Sequence, residues 1–322
     1  INDSWLDRPL SVAGRVLVRR EGGLEARLVD LKRDVALIPR VAIHLNRETN
    51  NGVKYDPARD LVALYAAGTG SGSFYREVAR TADCAPEDVV AGDLVLYNNQ
   101  PGTVWGPEGE FVSAPRLDDL ACVFACTEGF LTAQVRDMVP VLCVFDNEEI
   151  GSETKQGAAS VFLPETLAAI SEALGLSAAD HRALLADSMM LSCDNGHARH
   201  PNHPELADTN EAPVPNGGVV VKHSPRYATD GVSAAVFTEL CRRTEVPVQH
   251  YANRPDQMGG ATLGNIADTK LPIPTVDIGM AQLAMHSCFE TMGSRDVETF
   301  VRAVRACYES SLRFMPEGVA LR

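Results

Sequence analysis

Apolar and polar residues alternate along the first third of the chain, which predicts β-structure there. The alternation over residues 14–38 surrounds Glu21-Gly22-Gly23 and is typical of a β-hairpin. Residues 46–72 are polar and glycine-rich, which indicates a long connection. Residues 93–97 (DLVLY) favour a further strand.

After Phe111 the pattern changes to short apolar runs that alternate with amphipathic stretches. The first of these runs, Val139–Val144 (VPVLCV), is β-branched and uncharged, so it predicts a buried strand. The predicted strands are 139–146, 189–193, 246–251 and 273–278, and the predicted helices are 117–133, 155–174, 230–243 and 295–313. This order is typical of an α/β domain with a mixed, largely parallel sheet and helices on both faces.

The two patterns predict a domain organisation. Residues 11–110 form a β-rich domain, residues 111–322 form the α/β domain, and residues 1–10 are a stub of the α/β domain.

Composition narrows the classes of protein to consider. The formal net charge of −14 argues against a nucleic-acid partner, which has to be held through its phosphates. No uncharged apolar run is long enough to cross a membrane. The eight cysteines occur singly and without a Cys-x-x-Cys pair, which favours reduced thiols in a cytoplasmic protein over a disulfide framework or a thiolate metal site.

Acidic residues stand where predicted strands end. Glu148 and Glu149 follow the strand 139–146, and Asp194 follows the strand 189–193. Ligands of open α/β sheets bind beyond the carboxyl ends of the strands, so we expect these acids near a binding site. The other members of the pattern are Asp118, Asp119, His197, His200, His203 and His286.

Each position has a structural explanation by itself, because acids favour helix starts and a lone loop histidine is more often a surface residue. Together, acids and a histidine from four strand–loop junctions indicate a hydrolase with two metal ions. Carboxylate and imidazole ligands suit Zn²⁺, with Mn²⁺ or Co²⁺ as substitutes. Of the two adjacent glutamates, one can then bind metal while the other activates water.

Five ordered motifs resemble those of the aspartyl aminopeptidase family of dinuclear zinc exopeptidases: SAPRLDDL, DNEEIGS, SCDNGHARHPNHPEL, RYATD and QLAMHS. SWLDRPLSVAGRV and IPRVAIHLNRE match as well, so the resemblance covers nearly the whole chain. It implies an α/β catalytic domain interrupted by a β-rich dimerisation domain.

The resemblance also implies roles for the metal-site residues. Asp118 is similar to the ligand that bridges the two metals, and Glu148 is similar to the general base. Glu149 and His286 would bind one metal, and Asp194 would bind the other.

Further residues are candidates for contacting the substrate. His44, in AIHL, is similar to a histidine that reaches the active site of the neighbouring subunit. Lys222 is the first candidate and Arg226 the second for binding the acidic side chain of the peptide, with His197 as another substrate contact.

The chain also departs from the family pattern. The family uses a histidine in an N-terminal His-x-Asp-type segment, and we expect that segment to lie upstream of Ile1. Asn195-Gly196 replaces the usual Met-Ala, and RPDQMGGATLG replaces a loop that usually contains Cys.

The expected activity is release of N-terminal Asp or Glu from peptides by a two-metal, Glu-assisted attack of water. The expected assembly is a homo-oligomer of dimers, up to a dodecamer. The alternatives are a dinuclear aminopeptidase or deacylase for neutral residues, and a non-catalytic peptide-binding scaffold.

Overall fold

The computed structural model describes residues 1–68, 72–257 and 259–322. They divide into two compact units, one of residues 1–102 with 286–289 and one of residues 103–285 with 290–322. The predicted connection 46–72 includes residues 69–71, and the RPDQMGGATLG segment includes Met258; these four residues lie outside the described part. Among the helices of the described ranges, none has the length and apolar character that crossing a membrane requires.

The first unit is built around one long strand. Its elements are β1 (Pro9–Arg20), β2 (Gly23–Asp30), β3 (Ala36–Leu37), α1 (Pro57–Asp60), α2 (Ser73–Thr81) and β4 (Val89–Tyr97). β1 pairs antiparallel with β2 on one side and with β4 on the other. The turn between β1 and β2 contains Gly22 at φ +86, so the predicted hairpin is confirmed.

Apolar side chains that alternate with polar ones along β1 form the core of this unit. Val12, Val16 and Val18 are buried together with Val29 of β2 and Val78 of α2. The sequence pattern did not predict α2, because its helix buries only two residues and offers a short apolar stripe.

The second unit contains the α/β layer. Its elements are β5 (Thr103–Trp105), β6 (Phe111–Ala114), α3 (Leu117–Thr132), α4 (Phe162–Ala173), α5 (Ala178–Ala186), β7 (Met190–Cys193), β8 (Gly196–His197), β9 (Val219–His223), α6 (Gly231–Arg243), β10 (Val248–Ala252), α7 (Leu263–Asp268), β11 (Thr275–Gly279), β12 (Ala281–Leu283), β13 (Glu290–Gly293), α8 (Asp296–Tyr308), β14 (Leu312–Met315) and β15 (Gly318–Leu321).

The main sheet has the strand order β10-β9-β11-β7. The pairs β10–β9 and β11–β7 are parallel, and β11 runs antiparallel to β9. Val276 and Ile278 of β11 belong to the core formed with α3, α6 and α8. Asp277 therefore points to the opposite face, where α7 contacts β11. The predicted mixed sheet with helices on both faces is confirmed.

A second sheet, β5-β6-β13-β12-β8, lies in the same unit. β13 pairs antiparallel with β6 and β12, while β12 and β8 are parallel. This sheet supplies the short strands that lead into and out of the carboxylate cluster.

Three predicted elements differ from the structure. The first is the strand 139–146, which is wrong: among the described residues, no strand ladder includes this segment. Leu142 and Phe145 do pack against apolar clusters, but Val139, Val141 and Val144 are exposed. The apolar run therefore reflects contacts on part of its surface and not burial in a sheet.

The two other differences concern helix bounds. The helix predicted over 155–174 begins only at Phe162, because Gly157 N–H donates to Thr154 O in a turn. The helix predicted over 295–313 ends at Tyr308, because Leu312–Met315 pairs with Gly318–Leu321 as a hairpin.

The packing of Phe300 in the core of the second unit predicts how strongly this side chain stabilises the fold. Phe300 of α8 is fully buried in the cluster shared with α3 and α6. Replacing it by Ala should lower the free energy of unfolding by about 3–5 kcal/mol, because a large cavity remains. Urea unfolding followed by circular dichroism measures this loss, and a change below about 1 kcal/mol would contradict this packing of Phe300.

Candidate metal centre

The start of α3 holds the first two carboxylates. Asp118 and Asp119 occupy its first turn. Arg116, the residue before this helix, has a left-handed backbone conformation. The backbone N–H of Asp118 donates to Glu290 Oε2 at 2.9 Å, so β13 holds the backbone of this turn. This bond places the carboxylate of Glu290, which is itself buried, close to Asp118.

The end of β7 holds Asp194 beside a buried cation. Lys222 Nζ, on β9, lies 3.1 Å from Asp194 Oδ2 and 3.3 Å from the backbone oxygen of Asn195. The Lys222 side chain is only 2% exposed. Burial alone would lower the pKa of Lys222, but Asp194 and Asp277 outweigh that cost and raise it.

Glu148 and Glu149 lie on a single 3-10 turn, Glu148–Ile150. Burial, followed by repulsion from Asp194 and Glu149, raises the pKa of Glu148 to about 7, while Lys222 opposes the rise. A carboxyl group with a pKa near neutrality can accept and release a proton at physiological pH, as a general base must.

The carboxylates form one cluster. Asp118, Asp119 and Asp194 each offer an oxygen, and these oxygens lie within 4.8 Å of one another. Burial first, and then repulsion from Asp194, Glu149 and Glu290, raises the pKa of Asp118 to about 9. Burial and Asp194 also raise the pKa of Asp119. These acids repel one another when ionised, and a bound cation would remove that repulsion.

The donor set fits a divalent metal. Oδ1 of Asp119 is buried and has no hydrogen-bond partner among the described residues. Buried polar atoms normally have partners, so an oxygen without one in a carboxylate cluster is suited to coordinate a cation. Carboxylate oxygens are ligands for Zn²⁺ and Mn²⁺.

The other predicted site residues are placed as follows. His44 lies on an exposed turn of the first unit, and His286 belongs to the short segment 286–289 of that unit. His197 is exposed on β8, with its ring centre 6.1 Å from that of Tyr251. Arg226 is exposed and donates through Nη1 to Gly259 O at 3.2 Å. The roles assigned to these residues stay predictions.

Sequence reasoning did not assign roles to Asp119, Glu290 or Asn195. Asp119 was singled out with Asp118 in the motif SAPRLDDL, but it was given no role in the site. Glu290 and Asn195 carry no local signal, because their contacts join residues far apart in the sequence.

A family model described as "Aminopeptidase I zinc metalloprotease (M18)" matches residues 1–308. A protein of Mycobacterium leprae called "Probable M18 family aminopeptidase 2" is 40% identical over 315 residues, which cover 96% of this chain and 74% of that protein. The protein of the same name from Clostridium acetobutylicum is 41% identical over 306 residues, 92% of this chain and 70% of its own length.

Solved structures show the same fold. The chain aligned from the cryo-EM structure of the Ape4 and Nbr1 complex has a TM-score of 0.88 at 29% identity, and the match covers 96% of this chain and 64% of that one. A chain of the S. cerevisiae mApe1 dodecamer has a TM-score of 0.78 at 30% identity, with coverages of 95% and 70%. This chain therefore spans between about two thirds and three quarters of the length of the relatives it matches.

Proposed function

The chain belongs to the M18 family of aminopeptidase I zinc metalloproteases, and from this premise we propose that it releases N-terminal residues from peptides, Asp or Glu in preference, by a two-metal, Glu-assisted attack of water. The observation that carries the proposal is the cluster of Asp118, Asp119 and Asp194, next to Glu148 with its raised pKa.

The carboxylates of the second unit supply the ligands. The backbone N–H of Asp118 donates to Glu290, Asp194 Oδ2 accepts from Lys222, and Asp119 adds an oxygen to the same cluster. Glu149 and His286 complete the set implied by the family resemblance. When bound, Zn²⁺ at such a site polarises a peptide carbonyl and lowers the pKa of water.

Glu148 is the residue that moves protons. Its half-buried carboxylate takes a proton from the attacking water and passes it to the leaving amine. The peptide has to present its first carbonyl within reach of this carboxylate.

The preference for acidic residues rests on Lys222, Arg226 and His197. Arg226 and His197 are exposed and can meet a peptide side chain directly. Lys222 lies deeper, where its ammonium already faces Asp194. A metal that compensates Asp194 would leave more of the Lys222 charge for an acidic substrate.

A second candidate function is an aminopeptidase or deacylase for neutral residues. The Lys222–Asp194 ion pair favours this alternative, because an ammonium committed to Asp194 offers less charge to a substrate.

A homo-oligomer is proposed as well, since a relative of the same fold forms the mApe1 dodecamer. We further propose a cytoplasmic protein assembled from dimers, in which His44 reaches the active site of a partner subunit. Mass photometry of the purified protein tests the assembly.

Substrate choice is tested by initial rates on Asp-, Glu-, Leu- and Lys-anilides, with a chelator and after addition of Zn²⁺ or Mn²⁺. We expect chelator-sensitive cleavage of the Asp and Glu anilides, because the Lys222 ammonium lies beside Asp194 of the cluster. Cleavage of Leu-anilide instead would retain the metal site and reject the acidic preference. Metal-loaded protein that cleaves none of the four would support the scaffold alternative.

A further inference from the structure

Asn195 directly follows Asp194 of the carboxylate cluster in the chain, and all its side-chain hydrogen-bonding capacity is used. Its Nδ2 group donates to Leu117 O at 2.9 Å and to Gln282 Oε1 at 2.7 Å. Its Oδ1 atom accepts from Cys122 Sγ at 3.2 Å and from Met280 N–H at 3.3 Å. The residue is only 3% exposed, so these bonds are largely shielded from bulk water.

These bonds join the two segments that carry the aspartates. Asn195 follows Asp194 in the chain, and Leu117 precedes Asp118. The bond from Asn195 Nδ2 to Leu117 O therefore ties the end of β7 to the first turn of α3. The backbone oxygen of Asn195 also accepts from Lys222 Nζ, which holds the Asp194 side chain from the other direction.

The partners of the Asn195 amide fix which way it faces. Two acceptor oxygens, Leu117 O and Gln282 Oε1, lie on the Nδ2 side, and the donors Met280 N–H and Cys122 Sγ lie on the Oδ1 side. Leu117 O and Met280 N–H are backbone groups whose acceptor and donor roles are fixed, so turning the amide over would set oxygen against oxygen and N–H against N–H. The tether to Leu117 O is therefore held in one orientation.

We propose that Asn195 is a positioning residue that sets the separation of the Asp118 and Asp194 carboxylates and thereby the affinity of the site for its divalent cation. This inference rests on the proposed function, because it takes the cluster to be a metal site. Residues that orient metal ligands through hydrogen bonds typically change metal affinity or activity by about 10- to 100-fold when they are replaced.

The test uses Co²⁺ alone as the probe, titrated into metal-free full chain and followed by its visible absorption spectrum. For Asn195→Leu we expect the dissociation constant for Co²⁺ to rise about 10- to 100-fold, with an altered spectrum, because the aspartates lose their fixed separation. Failure of the unsubstituted chain to bind Co²⁺ would reject the proposed function itself. Equal affinity and an equal spectrum in the two proteins would reject only the role of Asn195.

Ser192→Ala serves as the matched control. Ser192 lies on β7, three residues before Asn195. It is as deeply buried as Asn195 and donates to Asp277 Oδ1 at 2.6 Å instead of to the cluster. It should lower the melting temperature without changing the affinity for Co²⁺. A comparable loss of affinity in this control would overturn the inference, since any buried change in β7 would then have the same effect.

The double variant Asn195→Leu/Gln282→Leu separates positioning from stability. In the single variant the Gln282 Oε1 atom is buried without the donor that Asn195 supplied. Replacing Gln282 as well removes that unpaired oxygen, so part of the lost melting temperature should return. The affinity for Co²⁺ should stay weak, because the tether to Leu117 O is still missing. Recovery of affinity together with the melting temperature would overturn the inference, and this variant also serves if the single one does not fold.

Discussion

Replacing Glu148 by Gln is expected to lower kcat for the preferred anilide by about 10²- to 10⁴-fold, the usual contribution of a general base. Gln keeps the shape of the side chain but cannot accept the proton of the attacking water. Glu148 contributes no oxygen to the cluster of Asp118, Asp119 and Asp194, so affinity for Zn²⁺ should change little. Initial rates together with a calorimetric zinc titration measure both quantities.

Glu165→Gln is the matched control for this change. Glu165 is exposed in the first turn of α4 and takes no part in the cluster, so its replacement should leave kcat unchanged. A Glu148→Gln variant with near-normal kcat would reject Glu148 as the base. A variant that loses Zn²⁺ together with activity would reassign Glu148 as a ligand.

Replacing Lys222 by Met is expected to cost about 3–5 kcal/mol of unfolding free energy in metal-free protein, because removing one partner of a buried ion pair leaves the other charge uncompensated. The Asp194 side chain, which is 15% exposed, would then face the other carboxylates without a cation. Bound Zn²⁺ should reduce the loss, since a divalent ion compensates the same charge. Urea unfolding with EDTA and with Zn²⁺ gives the two values.

Lys270→Met provides the comparison, because Lys270 is exposed beyond the end of α7 and an exposed substitution usually changes stability by less than about 0.5 kcal/mol. The Lys222 prediction fails if the metal-free variant is as stable as this control. Rates on Asp- and Leu-anilide add the second readout. A selective rise in KM for the Asp substrate would assign Lys222 to the substrate pocket as well.

Local patterns predicted the elements that form through contacts near in sequence. The β1–β2 hairpin has a turn with glycine at positive φ, and α3 has an uninterrupted apolar stripe. β9 (Val219–His223) was not predicted, although its three valines are buried, because the run is short and ends in Lys and His. Burial of Lys222 in a strand depends on Asp194, which no local pattern reveals.

The residues of the candidate site also divide into those that a local sequence pattern predicts and those that only the fold brings together. Glu148 and Asp194 follow from motifs at the ends of apolar runs, and Asp118 follows from a motif at the start of a predicted helix. The pKa values of Asp118 and Glu148 respond to Asp194 as a cluster requires. Glu290 and Asn195 act through hydrogen bonds to residues far away in the chain, so their contributions depend on the fold itself. The strand predicted over 139–146 failed because an apolar run does not specify a hydrogen-bonding partner.

The segment 139–146, outside every strand ladder of the described residues, has a practical consequence. Val139, Val141 and Val144 are 72%, 45% and 53% exposed, and exposed apolar side chains close together promote association between molecules. The net charge of −14 keeps molecules apart near neutral pH, but it vanishes near the isoelectric point of about 5.0. Precipitation should therefore set in as solutions are acidified toward pH 5, and concentrated stocks will keep best at neutral or mildly alkaline pH.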